Sequence, residues 1–176
     1  MRAAILFLLI VLVLASPDVS SPPDDNLIVP GVRIGKWTLK MTIPDLERMN
    51  GSAIRRLVTA GEAPNISSIT DFTVYEWLSV GIGAITYAGT RVEGLIAGIR
   101  GILVPHKTDK GIGVRGTRGE VLRAYGKPPA EARMSPADMV TIDDKVGIAF
   151  GIQNTYGDIF SIVIFRPGSA KTLWKF

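Results

Sequence analysis

Cysteine is absent from this 176-residue chain, and histidine occurs once. The first absence excludes disulfides, thiolate metal sites and cysteine nucleophiles. It also removes the lipid-accepting cysteine that a bacterial lipoprotein carries after its signal sequence. The second absence excludes any paired-histidine site. A Ser-His-Asp triad would have to use His106, and the Gly-x-Ser-x-Gly elbow does not occur. Runs of one charge are missing as well. The 20 Lys and Arg outnumber the 16 Asp and Glu by four but are scattered, and Arg55-Arg56 and residues 107–110 come closest to a cluster. Such spacing does not track a phosphate backbone, so nucleic acid is not an expected partner. No apolar run reaches the roughly 20 residues that a helical bilayer span needs.

One shorter apolar run is present. Met1-Arg2 is followed by 13 uninterrupted apolar residues, 3–15, and then by Ser16-Pro17-Asp18. As a helix this run spans about 20 Å, short of the roughly 30 Å hydrocarbon core. A positive start, a short apolar middle and small residues at its end predict an export signal cleaved after Ala15; the alternative is an uncleaved anchor. The expected location is secreted or periplasmic, with no transmembrane span in the mature protein. Residues 16–30, dense in proline, serine and aspartate, predict a disordered linker. The remainder, in a chain that is 47% hydrophobic and 20% charged, has the composition of a domain with a buried core.

Laid over itself at an offset of 75, the chain aligns Thr42, Asp45, Leu46 and Gly51 with Thr117, Glu120, Val121 and Gly126. The shared pattern is a helix start: a threonine N-cap, with an acid three residues on that reaches back to it. The glycines suit the helix C-terminus. At an offset of 66, Val80-Gly81-Ile82 falls on Val146-Gly147-Ile148, each opening a strand-like stretch. Final strands are expected over 92–99 and 159–165, and residues 52–60, with Ile54, Leu57 and Val58 at helical spacing, suggest a second helix or an extension of the first. The expected fold class is therefore α+β. It consists of two tandem repeats, 31–105 and 106–176, each a short helix or helix pair packed on an antiparallel sheet of three or four strands.

Aligning the two stretches separates candidate faces. Val74, Leu78 and Val80 match Val140 and Val146 and are expected to face the core, as are Ile82 and Ala84, which match Ile148 and Phe150. Tyr75, Trp77, Ile85 and Tyr87 stand where the second stretch has Thr141, Asp143, Gly151 and Gln153. These four are the candidate binding residues, an aromatic patch on the sheet side turned away from the helix. Burial against the linker, the other repeat or residues 173–176 is the alternative.

Catalytic constellations are sparse. His106 lies in a charged connector and is expected to be solvated. Asp143 and Asp144 are adjacent on a strand and point to opposite faces. Gly111, Gly113 and Gly116 match a dinucleotide-binding glycine pattern, but a charged connector precedes them where a strand is required. No catalytic residue, metal site or cofactor is expected.

The capped segments, Thr42-x-x-Asp45-Leu46…Gly51 and Thr117-x-x-Glu120-Val121…Gly126-Lys127-Pro128, resemble the G-M-T-x-x-E-V-x-x-x-x-G-x-P signature of small exported bacterial proteins. These include the SmpA/OmlA outer-membrane assembly lipoproteins and the β-lactamase inhibitory proteins. The resemblance spans 31–176 in layout but about ten positions per stretch in motif, and Lys40-Met41 and Arg115-Gly116 replace its glycine-methionine. It implies a non-enzymatic, partner-binding role outside the cytoplasm. The expected function is thus an exported binding module that presents a sheet face to a protein or cell-envelope partner in the manner of an inhibitor. The alternatives are a secreted hydrolase working through carboxylates, a structural envelope component, or a carrier of a small apolar ligand.

Overall fold

A computed structural model of the protein describes residues 25–58, 71–87, 89–133, 138–153 and 155–173. The export signal expected over 1–15, with its cleavage after Ala15, lies outside the described residues. Among them are twelve strands: β1 (Leu27–Val29), β2 (Arg33–Ile34), β3 (Trp37–Thr38), β4 (Ile54–Val58), β5 (Phe72–Trp77), β6 (Ile82–Thr86), β7 (Gly94–Ala97), β8 (Lys107–Thr108), β9 (Ala130–Arg133), β10 (Asp138–Asp143), β11 (Ile148–Gln153) and β12 (Ile159–Phe165). Three helices accompany them: α1 (Ile43–Asn50), α2 (Arg118–Tyr125) and α3 (Ala170–Leu173). The strands form a four-stranded sheet, β3-β2-β1-β8, and an eight-stranded sheet, β4-β5-β6-β7-β12-β11-β10-β9.

The expected α+β class, two helix-backed repeats, is overturned: the protein is mostly β. The physical reason is that the helices are too slight to form a layer. α1 buries Ile43 and Leu46, and α2 buries only Val121. The isoleucine- and valine-rich strands do most of the burying, and full burial of each such side chain is worth roughly 1.5–3 kcal/mol.

Local chemistry nevertheless starts both eight-residue helices where expected. The Thr42 and Thr117 hydroxyls accept from the backbone N–H of Asp45 and Glu120, whose carboxylates accept in turn from the threonine N–H at 3.0 and 2.6 Å. These are complete capping boxes. Their hydrogen bonds from threonine hold both carboxyls below their ordinary pKa values.

Three further expectations change. The segment predicted to be a linker contains β1, with Ile28 fully buried between β2 and β8. Residues 54–58 form an edge strand, pairing Ile54 with Glu76 through Val58 with Phe72, because ladder formation with β5 overrides a helical spacing whose Ile54 and Leu57 are exposed. His106 is buried, its ring 5.5 Å from that of Trp37, because β8 runs parallel to β1 and carries the connector into the small sheet.

The large sheet is antiparallel throughout. Its two four-stranded halves meet where β7 pairs with β12, Gly94 opposite Phe165 and Ala97 opposite Ile162. One face packs on α1, α2 and the small sheet. Ile28, Ile34, Leu46 and Val121 join Ile82, Leu95, Ile148, Phe150 and Ile162 in the larger core cluster. Arg166, just beyond β12, ties the layers together: it donates to the Leu39 and Val92 carbonyls and pairs with Glu93. The opposite face carries a second cluster, in which Phe72, Val74, Ile85, Val140, Ile142 and Phe165 are partly covered by Ala170 and Leu173 of α3. Among the described residues, no helix is long and apolar enough to cross a membrane.

Candidate functional site

The four residues singled out from the sequence do not form one patch. Across the β5–β6 hairpin Tyr75 pairs with Ala84, Val74 with Ile85 and Trp77 with Ile82. Directly opposed residues share a face, so Tyr75 and Trp77 lie on the helix-covered side with Ile82 and Ala84. Ile85 and Tyr87 lie on the other side with Val74. The sequence reading carried face alternation through the turn in the wrong phase, a one-residue error that exchanges every side chain between faces.

Trp77 is 2% exposed, and its Nε1 donates to the Gly51 carbonyl at 2.8 Å, anchoring the end of α1. Tyr75 is half-buried against the same cluster. Ile85 is buried in the second cluster, with Tyr87 packed beside it. The Tyr87 hydroxyl is shut away from water, and burial pushes its pKa well above the ordinary tyrosine value.

A candidate site lies instead on the face of the large sheet opposite α1 and α2, beside α3. A groove of about 600 Å³ lies there, between the first four strands of the large sheet and β12. That volume is in the range of small-molecule sites, roughly 300–1,000 Å³. Its walls are Phe72 and Val74 of β5, Ile85 of β6, Ile96 of β7 and Val163 of β12, with Leu173 of α3 closing one side. α3 is set in place by Asp144, whose Oδ1 accepts from the Ala170 N–H at 2.9 Å. A bulge between β11 and β12 makes Phe160 the extra residue and brings it to the groove. Gly151 admits that ring, since a Cβ there would stand 2.8 Å from the Phe160 ring and 2.5 Å from Ser161 Oγ.

Charge is concentrated at one end. Glu76, on β5, is 2% exposed and lines the groove between two arginines. Arg100 Nε donates to Glu76 Oε2 at 2.7 Å, and Arg56 Nε lies 3.7 Å from Oε1. Both arginine side chains remain about half exposed, at 54% and 55%. The strained turn after β7 holds Arg100 there. Arg100 has φ 51° and ψ 29°, in the left-handed region, at a cost of roughly 1–2 kcal/mol for an L-residue. The preceding Gly98, at φ 82°, must be glycine: a Cβ would stand 2.7 Å from the Phe160 carbonyl oxygen.

Glu76 sits between apolar Val74 and Leu78 on the same strand face. That periodicity marked a buried carboxylate, but its partners lie 20 and 24 residues away on β4 and the 99–101 turn, beyond the reach of local pattern. Among the described residues no cluster of three or more His, Asp or Glu is arranged to hold a metal ion. No protein-family model, curated protein or solved structure matches the chain.

Proposed function

We propose that this chain is a non-enzymatic binding protein, working outside the cytoplasm, that seats a small apolar ligand on the face of its eight-stranded sheet opposite α1 and α2. The groove carries this reading. A sheet face in a compact protein is ordinarily covered by another layer; among the described residues only α3 lies on this one, and Val74, Ile96 and Val163 line a groove of about 600 Å³ beside it. The polar lining suits binding: Glu76 is engaged by two guanidinium groups that remain about half exposed at the groove. The positively charged start and 13-residue apolar run support export.

The test is titration of the purified protein with the neutral fluorescent probe N-phenyl-1-naphthylamine. Saturable enhancement at one site per chain is expected. It should be abolished by Val163→Trp, which fills the groove from the centre of the sheet, with no loss of melting temperature. Absence of saturable binding, or binding indifferent to Val163→Trp, defeats the reading.

A second reading, a module that grips a protein partner as the sequence resemblance implies, is favoured by β4. It is an end strand of the large sheet, and Ile54 and Leu57 are 49% and 55% exposed. An open edge with apolar side chains suits strand addition by another chain. A partner recovered with the native protein and lost with Leu57→Asp supports this reading; recovery unchanged by Leu57→Asp removes it.

A further inference from the structure

We infer that the groove takes a long-chain monocarboxylate, with the acid head read by Arg100 and Arg56 and the alkyl chain lying along Val74, Ile96 and Val163. This rests on the small-ligand reading above and adds the ligand's charge and shape. The sign of the head follows from exposure. The Glu76 side chain is 1% exposed, whereas those of Arg56 and Arg100 are more than half exposed, so a ligand entering from solvent meets guanidinium before carboxylate.

The number of charges follows from the described residues at the mouth: two guanidiniums and one buried carboxylate leave one unit of positive charge. A single carboxylate neutralises it; a phosphate dianion overshoots. The donors are also free to act. Glu76 takes the Nε side of each arginine, at 2.7 and 3.7 Å, and a guanidinium presents five N–H groups in a planar fork. The Nη edges remain for a ligand carboxylate, the geometry in which arginine binds acids best. Glu76 is thus a positioning residue, holding both forks against the apolar walls.

The strained backbone at Arg100 fits this assignment. A left-handed non-glycine residue persists where the surrounding structure over-determines it, and such sites gather at ligand clamps. Here Gly98 and Gly101, both at positive φ, flank Arg100 and aim it across the sheet toward β5.

The experiment is calorimetric titration of the purified protein with dodecanoate, 1-dodecanol and dodecylamine below their aggregation limits. Dodecanoate is expected to bind one per chain and at least tenfold more tightly than dodecanol, with dodecylamine weakest. Shortening dodecanoate to decanoate should weaken binding by about fourfold per buried methylene. Arg100→Gln and Arg56→Gln should each bring dodecanoate down to the affinity of dodecanol while leaving dodecanol unchanged. Arg56 lies exposed on an edge strand, so its variant carries the test should Arg100→Gln fail to fold. Equal affinity for dodecanoate and dodecanol, or preference for dodecylamine, overturns the acid-head assignment and leaves apolar binding standing. Failure of all three to bind, together with failure of the neutral probe, overturns both.

Discussion

The hairpins β5–β6 and β10–β11 share one register: Trp77 meets Ile82, and Asp143 meets Ile148, beside their turns. One step from the turn, on the face opposite α1 and α2, the first hairpin has Glu76 and the second has Ile142. Both are buried, at 2% and 0% exposure. Ile142 lies in an apolar cluster with Val140, Ala149 and Phe165, whereas Glu76 stands between two arginines at a groove. The comparison teaches that the sheet does not need a charge at this position. A buried ion pair is at best weakly stabilising, so a carboxylate where the companion hairpin uses isoleucine points to use rather than to fold.

The comparison can be broken most forcefully by exchanging the two solutions. Ile142→Glu places a carboxylate where the apolar cluster offers it no arginine. It should cost about 4–5 kcal/mol in urea unfolding, the scale of an uncompensated buried charge. On the side covered by α1 and α2 the hairpins differ in the opposite sense, the second having the half-buried Asp143 where the first has the buried Trp77. Trp77→Ala should cost about 3–5 kcal/mol, together with the hydrogen bond to Gly51, and should leave probe binding in the groove intact. A melting temperature unchanged by Trp77→Ala would mean that the indole does not anchor α1.

Glu76→Leu sharpens the contrast from the other direction. It should shift stability by only about 1 kcal/mol, of either sign, since the two arginines it leaves are about half exposed and water can solvate them, while carboxylate affinity falls. A large loss of stability would make Glu76 part of the scaffold.

The smallest effect concerns something the two halves have in common. The capping carboxyls of Asp45 and Glu120 have pKa values depressed in the folded state. Their contribution is therefore fully present above their ordinary values of 3.8 and 4.5 and is lost as pH falls through the lower folded ones. The melting temperature should drop on acidification below about pH 4.5, and the drop should shrink in Asp45→Asn/Glu120→Gln. An identical acid profile in that variant would assign acid sensitivity elsewhere.

The N-terminal caps were legible in the sequence because all their chemistry lies within four residues: threonine and acid act on one turn of backbone. The faces of the sheet were not. Alternation along 73–80 and 82–87 was visible, but which residues share a side depends on how many the turn consumes. A turn whose flanking pair is Trp77 and Ile82 sets Tyr75 beside Ala84 instead of Ile85. The burial of His106 and of β1 was hidden for another reason: each depends on a parallel pairing between segments some 80 residues apart. The groove combines both difficulties. Its apolar walls alternate along single strands, while Arg56, Glu76 and Arg100 converge through long-range ladders and a backbone conformation that no composition announces.

The pairing of β7 with β12 has a consequence for how the molecule comes into being. β12 is the last of the described strands to be synthesised, yet it occupies the middle of the large sheet. A chain emerging from its N-terminus holds β7 with one unmatched ladder of N–H and C=O groups until residue 165 has arrived, an interval in which a stray strand from a neighbouring molecule can pair in its place. The middle of this sheet is finished after its first rim, so aggregation during synthesis would begin at the seam that, in the completed protein, joins its two halves.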